Sequence, residues 1–400
     1  MKHESIHGVG SFGQRILICA FVLGIVAMTT PAHAQTFSVV HNFSGGSDGG
    51  VPYNGFTMKG KMFYGTASIG GSSNDGVIFK INAKGVETVL HNFAGGADGA
   101  NPEGELIQDK SGHFYGTTTA GGAAGAGTVF KLTGKKETVL YSFAGGTDGA
   151  VPVAGLTMDA SGNLYGTTSQ GGANGNGTVF ELAAPKTKTG QWTETVLYSF
   201  GNGTDGSVPI GGVIFDAAGN LYGTNSAGGS YGYGTVFQLV PGTPWTENIL
   251  HQFQNGDDGS VPYAGLVTDS TGNFYGAATQ GGANGGGTVF ELTSSGGNWT
   301  FTVLNSVPGW GISGTFRNLV LDASGNIYAT THCDGDDNAG TVYELSPSGG
   351  TWTYNLLYSF TGGGDGQYSV SNLVLSEGKL YGTTLYGGAS GNGVVYEVTP

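Results

Sequence analysis

Short runs of alternating apolar and polar residues, separated by Gly-rich turns, organise this chain from residue 35 onwards. The clearest unit occupies residues 155–200, and its last run, TETVLYSF, alternates β-branched and aromatic residues with polar ones. No stretch after residue 35 keeps a helical period over three turns. The pattern therefore predicts four β-strands in this unit, at 155–158, 164–168, 178–182 and 193–200.

The unit is repeated seven times. A central tyrosine recurs at steps of 50 to 57 residues, as Tyr64, Tyr115, Tyr165, Tyr222, Tyr275, Tyr328 and Tyr381. A fixed period of this length, with each unit made of short strands, is typical of a β-propeller. A β-helix also repeats, but its coils are much shorter. We predict an all-β, seven-bladed propeller in which the glycine of each Tyr-Gly-Thr phrase lets adjacent blades approach closely.

The two ends of the repeat region predict how the ring closes. Residues 37–43 have the pattern of a fourth strand, whereas residues 393–398, at the other end, have that of a third strand. A fourth strand without its own blade should complete a blade that has only three strands. The N-terminal strand is therefore expected to pair with the C-terminal three strands, which would remove two open sheet edges.

Composition supports a packed fold in spite of 79 glycines in 400 residues. The chain is 38% hydrophobic and only 10% charged, which is unlike a disordered segment, and the glycines fall at turn positions of each repeat. The net charge of −14 argues against nucleic-acid binding, which favours basic surfaces. Cys333 is the one cysteine after residue 34, so no intramolecular disulfide is expected.

The first 34 residues have the features of a signal peptide. Lys2 and Arg15 precede an apolar run at 16–28, and Ala32-His33-Ala34 supplies a small-x-small cleavage pattern. We expect cleavage near Ala34-Gln35 and a periplasmic or extracellular protein; an uncleaved anchor is the alternative. The expected domains are a signal peptide at 1–34 and a propeller at 35–400, with no transmembrane segment in the mature chain.

The phrases GNLYGTT, GGANGNGTVFEL and ETVLYSFAGGTDGAVP resemble the GloVer tandem repeat of exported bacterial proteins, over roughly residues 37–400. The resemblance implies export and a repeat domain at or outside the cell surface, and it implies no defined activity. GloVer proteins carry C-terminal anchors, whereas this chain ends at Thr399-Pro400 without a hydrophobic tail, which favours release or periplasmic residence. Tryptophans before the fourth strands and Gly-Gly pairs after the second strands add a looser similarity to kelch blades.

An aspartate recurs in the turn before each first strand, in all repeats but the sixth. These residues could form a ring of carboxylates that binds cations or sugar hydroxyls. They could equally be Asp-Gly turns that repeat because the fold repeats, and a single acid per loop favours the turn. The histidines that replace a tyrosine of sister repeats in the fourth strands indicate packing and not ligand binding. The recurring aspartates are Asp48, Asp98, Asp148, Asp205, Asp258 and Asp365.

The sixth repeat departs from the pattern in two loops that should project from one face. The first contains Trp310, the one tryptophan outside the regular series, which could stack on a sugar ring or plug the blade edge. The second runs from His332 to Gly340. His332 beside Cys333 offers two ligands for a soft metal, which are too few on their own.

The second of these loops also carries an acidic run. Asp334, Asp336 and Asn338 have the alternating oxygen spacing of a calcium loop, and Asp337 adds a further carboxylate. Ala339 stands where such a loop has glycine, and no closing glutamate follows. Calcium at Asp334, Asp336 and Asn338 and a solvated acidic loop are the two alternatives; no other cofactor is expected.

Aromatic residues added to the same loop face extend the candidate binding surface. Tyr231 and Tyr233 lie in the second loop of the fourth repeat, and Tyr368 and Tyr386 lie in the seventh. They suit a carbohydrate or peptide ligand, or they cover the backbone of their own loops.

No catalytic constellation is evident: GxSxG occurs only within Gly-rich turns, at 45–49 and 228–232, where no helix pattern follows to form a nucleophile elbow, and HExxH occurs only at 3–7, within the expected signal peptide. The sequence therefore predicts an exported, non-enzymatic, monomeric propeller that binds a polysaccharide or a cell-surface protein through its Gly/Asp-rich loop face. One alternative is a polysaccharide hydrolase or lyase that uses carboxylates in the central channel. Another is a structural envelope repeat without a specific ligand.

Overall fold

The computed structural model of the protein describes residues 35–187, 190–201, 203–309, 314–315, 317 and 319–400. These residues form seven four-stranded antiparallel sheets arranged as the blades of a ring. They contain no α-helix, only a 3-10 turn at Gly146–Asp148. The predicted seven-bladed all-β propeller is confirmed. The predicted signal peptide lies outside the described residues, among which no helix is long and apolar enough to cross a membrane.

The strands follow one order in every blade, from the innermost to the outermost. Blade 1 consists of β2 (Phe56–Lys59), β3 (Met62–Ala67), β4 (Val77–Asn82) and β5 (Glu87–Asn92). Blade 2 consists of β6 (Ile107–Gln108), β7 (Phe114–Thr118), β8 (Thr128–Thr133) and β9 (Lys136–Ser142). Blade 3 consists of β10 (Thr157–Met158), β11 (Leu164–Thr168), β12 (Thr178–Ala183) and β13 (Thr193–Ser199). Blade 4 consists of β14 (Ile214–Phe215), β15 (Leu221–Asn225), β16 (Thr235–Val240) and β17 (Thr246–Gln252). Blade 5 consists of β18 (Val267–Thr268), β19 (Phe274–Ala278), β20 (Gly285–Ser295) and β21 (Asn298–Pro308). Blade 6 consists of β22 (Val320–Leu321), β23 (Ile327–Thr331), β24 (Thr341–Ser348) and β25 (Thr351–Ser359). Blade 7 consists of β26 (Val374–Ser376), β27 (Lys379–Thr383), β28 (Val394–Thr399) and β1 (Thr36–Asn42).

The N-terminal strand closes the ring as expected. β1 pairs antiparallel with β28, from Thr36 opposite Thr399 to Asn42 opposite Val394, with an irregularity between Val39 and His41. Blade 7 thereby gains its outer strand from the opposite end of the described chain. The closure prediction is confirmed.

The hydrophobic core is divided among the contacts between consecutive blades. Between blades 2 and 3, for example, Val129 and Phe143 from one blade pack with Leu164 and Phe180 from the next, all at 0% exposure. Full burial of such a side chain contributes roughly 1.5–3 kcal/mol. Each blade therefore depends on both neighbours.

The glycine of each Tyr-Gly-Thr phrase has a different role from the one expected. A Cβ on Gly166 would lie 2.7 Å from Cζ of Phe180 and 3.0 Å from Cδ2 of Leu156. Phe180 is the cross-strand partner of Gly166 within blade 3. The expectation that this glycine brings adjacent blades together is therefore wrong: the glycine makes room for an aromatic ring of its own blade.

Substitution of this glycine tests that packing. We expect Gly166→Val to lower the free energy of unfolding by roughly 1–3 kcal/mol, because the added methyls overlap the Phe180 ring in a filled core. The exposed Ala160→Val serves as the control and should change stability by less than about 0.5 kcal/mol. Urea denaturation of both variants measures the difference. Equal stabilities would contradict the close contact.

Candidate functional site

The recurring aspartates close their own turns. Oδ2 of Asp148 accepts hydrogen bonds from the backbone N–H of Ala144 at 2.9 Å and from the hydroxyl of Tyr141 at 3.0 Å. The same backbone bond, four residues back, is made by Asp48, Asp98, Asp205, Asp258 and Asp365. The predicted turn role is confirmed, since each of these carboxylates accepts a backbone hydrogen bond within its own loop, while ligand binding by them stays a prediction.

Histidine and tyrosine are interchangeable partners of these aspartates. Nε2 of His91 lies 3.3 Å from Asp98, and Nε2 of His251 lies 3.0 Å from Asp258. The hydroxyl of Tyr358 makes the equivalent contact with Asp365 at 2.9 Å. The packing role predicted for the strand histidines is thus confirmed at these two junctions.

The acidic loop of blade 6 is turned mainly to solvent. Asp336 and Asp337 are exposed, whereas Asp334 is half-buried, and burial raises the pKa of its carboxyl. The backbone N–H of Asp336 donates to Oγ of Ser359 at 3.1 Å, and Asn338 has a φ of 53°. The three carboxylates do not belong to the one group of three metal-ligating side chains found among the described residues. Calcium in this loop stays a prediction without support from the carboxylate geometry.

The residues around this loop are only partly described. Nδ1 of His332 lies 2.7 Å from Sγ of Cys333, and the His332 ring stacks on Tyr368 with centroids 4.4 Å apart. His332 therefore packs against an aromatic residue of the next loop. Trp310 lies outside the described residues, and its stacking role stays a prediction.

The added tyrosines of the loop face are exposed. Tyr231, Tyr233 and Tyr386 expose 56%, 39% and 44% of their surface. Tyr231 borders an open groove of about 400 Å³ that is also lined by His251 and Gln254. The exposure agrees with a binding surface, while the binding itself is untested.

A second group of polar side chains lies at the ring axis. Described residues just before the inner strands of blades 1 and 3 to 7 line one small cavity at the centre of the ring. Blades 3 and 4 place small or apolar residues there, such as Ala154 and Gly155 in blade 3. The other five repeats place polar side chains there, which we call the axial cluster. Its members are Tyr53, Asn54, Glu103, Glu105, Tyr263, Arg317 and Asn372.

Arg317 is the centre of the axial cluster. Its side chain, only 7% exposed, extends from blade 6 towards blade 1, where Cζ lies 4.7 Å from the ring centroid of Tyr53. Glu103 of blade 2 and Tyr263 of blade 5 are close enough to act on its charge. Because blades 6 and 2 lie on opposite sides of the ring, Arg317 crosses the channel.

Glu105 lies beside this crossing. Its Oε2 accepts a hydrogen bond from Nδ2 of Asn372, which belongs to blade 7. Burial raises the pKa of Glu105, and the Asn372 bond acts in the opposite direction. Burial also raises the pKa of Glu103, against the positive charge of Arg317. The two carboxyl groups thus have different surroundings.

Two buried atoms of the axial cluster lack hydrogen-bond partners within the described part of the chain: Nε of Arg317 and Oδ1 of Asn54. Both residues border a cavity of about 30 Å³. A cavity volume of about 10–15 Å³ is enough to hold one water molecule. The axis therefore has room for a water molecule or one polar group of a ligand next to unpaired polar atoms.

The sequence did contain a signal for this cluster. The phrase that reads VPVAGL in blade 3 becomes NPEGEL at Asn101–Leu106, and the corresponding stretch before Leu319 carries an arginine. The significance of these departures depends on the axis, where residues from seven repeats converge. The pattern of a single repeat does not show this convergence, whereas its unusual loops are visible in the sequence alone.

The fold and its repeated blades define the protein as a seven-bladed propeller repeat protein. The family model of the Gloeobacter/Verrucomicrobia repeat matches residues 20–225 and 210–400. The chain belongs to this family, which confirms the predicted GloVer membership. No curated protein matches the sequence.

Two solved structures share the fold at low identity. A putative 6-phosphogluconolactonase from Bacteroides uniformis has a TM-score of 0.53 and 14% identity, covering 80% of this chain and 88% of that chain. The extracellular domain of a putative hybrid two component system from B. thetaiotaomicron has a TM-score of 0.56 and 12% identity. The match covers 92% of this chain but only 42% of that one. At these identities the similarity shows the fold alone.

The expectation of a non-enzymatic protein is corrected by the first of these structures. A propeller similar in size and fold bears the name of an enzyme. The lack of a GxSxG nucleophile elbow and of an HExxH site after residue 34, on which the expectation depended, therefore does not separate enzymes from other proteins of this fold.

Proposed function

We propose that this protein is exported and binds a small polyhydroxylated ligand, a sugar or the end of a polysaccharide, at the axial cluster. The observation that carries the proposal is the convergence of Arg317, Glu103 and two tyrosines at the channel. Planar charged groups that match pairs of hydroxyls, together with aromatic faces, suit the recognition of a sugar. The site lies at the centre of the loop face.

The unpaired atoms support the same proposal. Nε of Arg317 can only donate a hydrogen bond and Oδ1 of Asn54 can only accept one. A hydroxyl does both, so one ligand hydroxyl or one water molecule can satisfy the pair. The cavity of about 30 Å³ admits one such group. The rest of the ligand would lie on the loop face, over Tyr53 and Tyr263.

The test compares axial variants with a loop variant. We expect the purified protein to bind a member of a glycan array, and Arg317→Ala to weaken that binding about 10- to 100-fold, because a charge-assisted hydrogen bond contributes about 1.5–3 kcal/mol. Blades 3 and 5 have Ala154 and Ala264 at the same position, so the ring accommodates alanine there. Isothermal titration calorimetry with the array hit measures the affinity.

Tyr231→Asn is the matched control, because blade 3 has Asn174 at that loop position. It should leave the affinity unchanged if the ligand binds at the axis. A loss with Tyr231→Asn but not with Arg317→Ala would place the ligand in the blade 4 groove. A blank array would contradict sugar binding altogether.

Hydrolysis at the same site is a second candidate, favoured by the unlike environments of Glu103 and Glu105. An acid and a base at one site need different pKa values, and different surroundings produce them. The Bacteroides uniformis protein is named for a sugar lactone, so 6-phosphogluconolactone and gluconolactone are the first substrates to assay. Turnover that disappears in Glu103→Gln and Glu105→Gln would support hydrolysis. Turnover retained in both variants would exclude these two residues from it.

A further inference from the structure

Three metal-ligating side chains converge where blade 7 meets blade 1. His41 lies on β1, Asp48 in the loop that follows and Glu87 on β5, and one ligand atom of each lies within 4.8 Å of the others. Among the described residues this is the one group of three or more His, Cys, Asp or Glu side chains that meets this criterion. The group lies at the outer strands, away from the axial cluster.

The hydrogen bonds of His41 determine which nitrogen is available. Nδ1 lies 3.1 Å from the carbonyl oxygen of Gly85, and a carbonyl only accepts, so Nδ1 carries the proton. Nε2 then has a lone pair, yet it is buried and has no hydrogen-bond partner in the described structure. A metal-bound histidine typically donates its other ring N–H to a backbone carbonyl or a carboxylate. His41 is thus held in the tautomer that a metal ion requires.

The sister junctions lack this arrangement. At the next junction Nε2 of His91 is engaged with Asp98 at 3.3 Å. Nε2 of His251 is engaged with Asp258 at 3.0 Å, and Phe301 stacks on its ring at 3.6 Å in the place that Glu87 holds. Of the three strand histidines in the described part of the chain, His41 is the one whose Nδ1 lies against the hairpin of the neighbouring blade.

The carboxylates add to the case for a cation. Oε1 of Glu87 is buried without a partner, like Nε2 of His41. Asp48 accepts from the N–H and hydroxyl of Ser44, which leaves lone pairs on both of its oxygens. Two acidic groups and an unprotonated nitrogen with no donor between them form an electron-rich pocket.

We propose that His41, Asp48 and Glu87 bind a divalent transition-metal cation, with Zn²⁺ as the first candidate. One imidazole and two carboxylates leave a fourth position for water, and an imidazole ligand favours zinc over calcium or magnesium. Bonds of about 2.0–2.2 Å place tetrahedral ligands roughly 3.3 Å apart, so shifts of about an ångström complete the site.

The metal would link the closing strand to blade 1. His41 belongs to the strand that completes blade 7, whereas Glu87 belongs to the outer strand of blade 1. A cation that binds only when both are in place stabilises the closed ring. This assignment replaces the packing role that the sequence indicated for His41.

The experiment is a titration of the EDTA-treated, dialysed protein with Zn²⁺, and separately with Mn²⁺ and Ca²⁺, followed by calorimetry and by the melting temperature. We expect one Zn²⁺ site per chain, a raised melting temperature with Zn²⁺, and a loss of affinity of at least tenfold in His41→Tyr. Tyrosine occupies the equivalent position at Tyr141 and Tyr198, so the variant should fold. His91→Tyr is the matched control and should bind Zn²⁺ like the unchanged protein.

A second variant keeps the test decisive if His41→Tyr does not fold. Glu87→Gln keeps the shape of the side chain and should also weaken Zn²⁺ binding at least tenfold. Absence of a one-to-one Zn²⁺ site would overturn the proposal, as would equal Zn²⁺ affinity in the unchanged protein, His41→Tyr and Glu87→Gln. Tighter binding of Ca²⁺ than of Zn²⁺ would overturn the role of the imidazole.

Discussion

A chain that begins at Ser44 will fail to form a stable propeller, whereas one that begins at Gln35 will fold. The shorter chain lacks β1, so β28 becomes an open edge and Phe43, at 0% exposure, is lost from the core. Phe37, which stacks on Tyr358 with ring centroids 3.9 Å apart, is lost as well. Two such aromatic residues and a strand ladder contribute about 5 kcal/mol or more, against a total stability of about 5–15 kcal/mol.

Circular dichroism and urea denaturation of the two chains measure this effect. A point substitution refines it: Phe43→Ala should cost about 3–5 kcal/mol, while Val86→Ala, at a position 59% exposed, should be nearly neutral. A cooperative transition of unchanged midpoint in the chain from Ser44 would show that ring closure by β1 is dispensable.

Stability will fall as the pH rises from 6.5 to 8.5. At four junctions a glutamate of the outer strand lies near the turn aspartate of the previous blade, and burial, followed by the aspartate charge, raises its pKa. The pKa values are about 7 for Glu87, Glu137 and Glu194 and about 8 for Glu247, against 4.5 for an unperturbed glutamate. Folding therefore takes up protons below these values, and that stabilisation is lost as pH passes through 7 to 8.

Histidines oppose this trend only near the lower end of the window. Burial lowers the pKa of His41, His91 and His251 in the folded protein, whereas unfolded histidines lose their protons around pH 6.5, which adds a small rise in stability as the pH increases from 6.5. Because solvent screens the half-buried carboxyl groups of the glutamates, the total loss should be only about 2–4 kcal/mol.

Scanning calorimetry in EDTA at both pH values measures the loss, with a fourfold Glu→Gln variant of the junction residues as the control. The control should show a much smaller dependence on pH. A melting temperature of the unchanged protein that is constant or rises over this window would contradict proton uptake by these glutamates on folding.

The repeat sequence determined the architecture to a large extent because each blade is built from local patterns. In the third repeat the predicted strand at 164–168 coincides with β11, and those at 178–182 and 193–200 differ from β12 and β13 by one residue at their C-terminal ends. The first strand begins at Thr157, two residues later than expected. Gly155 instead lies close to blade 2, where an added Cβ would be 3.1 Å from the Glu105 carbonyl oxygen, and the pattern of one repeat does not show this contact between blades.

The candidate sites depended on the tertiary structure. The sequence predicted binding residues in the loops that depart from the repeat pattern, and Tyr231 and Tyr386 are exposed in these loops. It gave no means of placing Arg317 beside Tyr53, more than 260 residues away in the chain, or His41 beside Glu87. Spacing along one repeat fixes which residues form strands and turns, because those depend on hydrogen bonds and side-chain periodicity over a few residues. Which charges meet across the channel or at a junction depends on ring closure, which brings together residues that no local pattern relates.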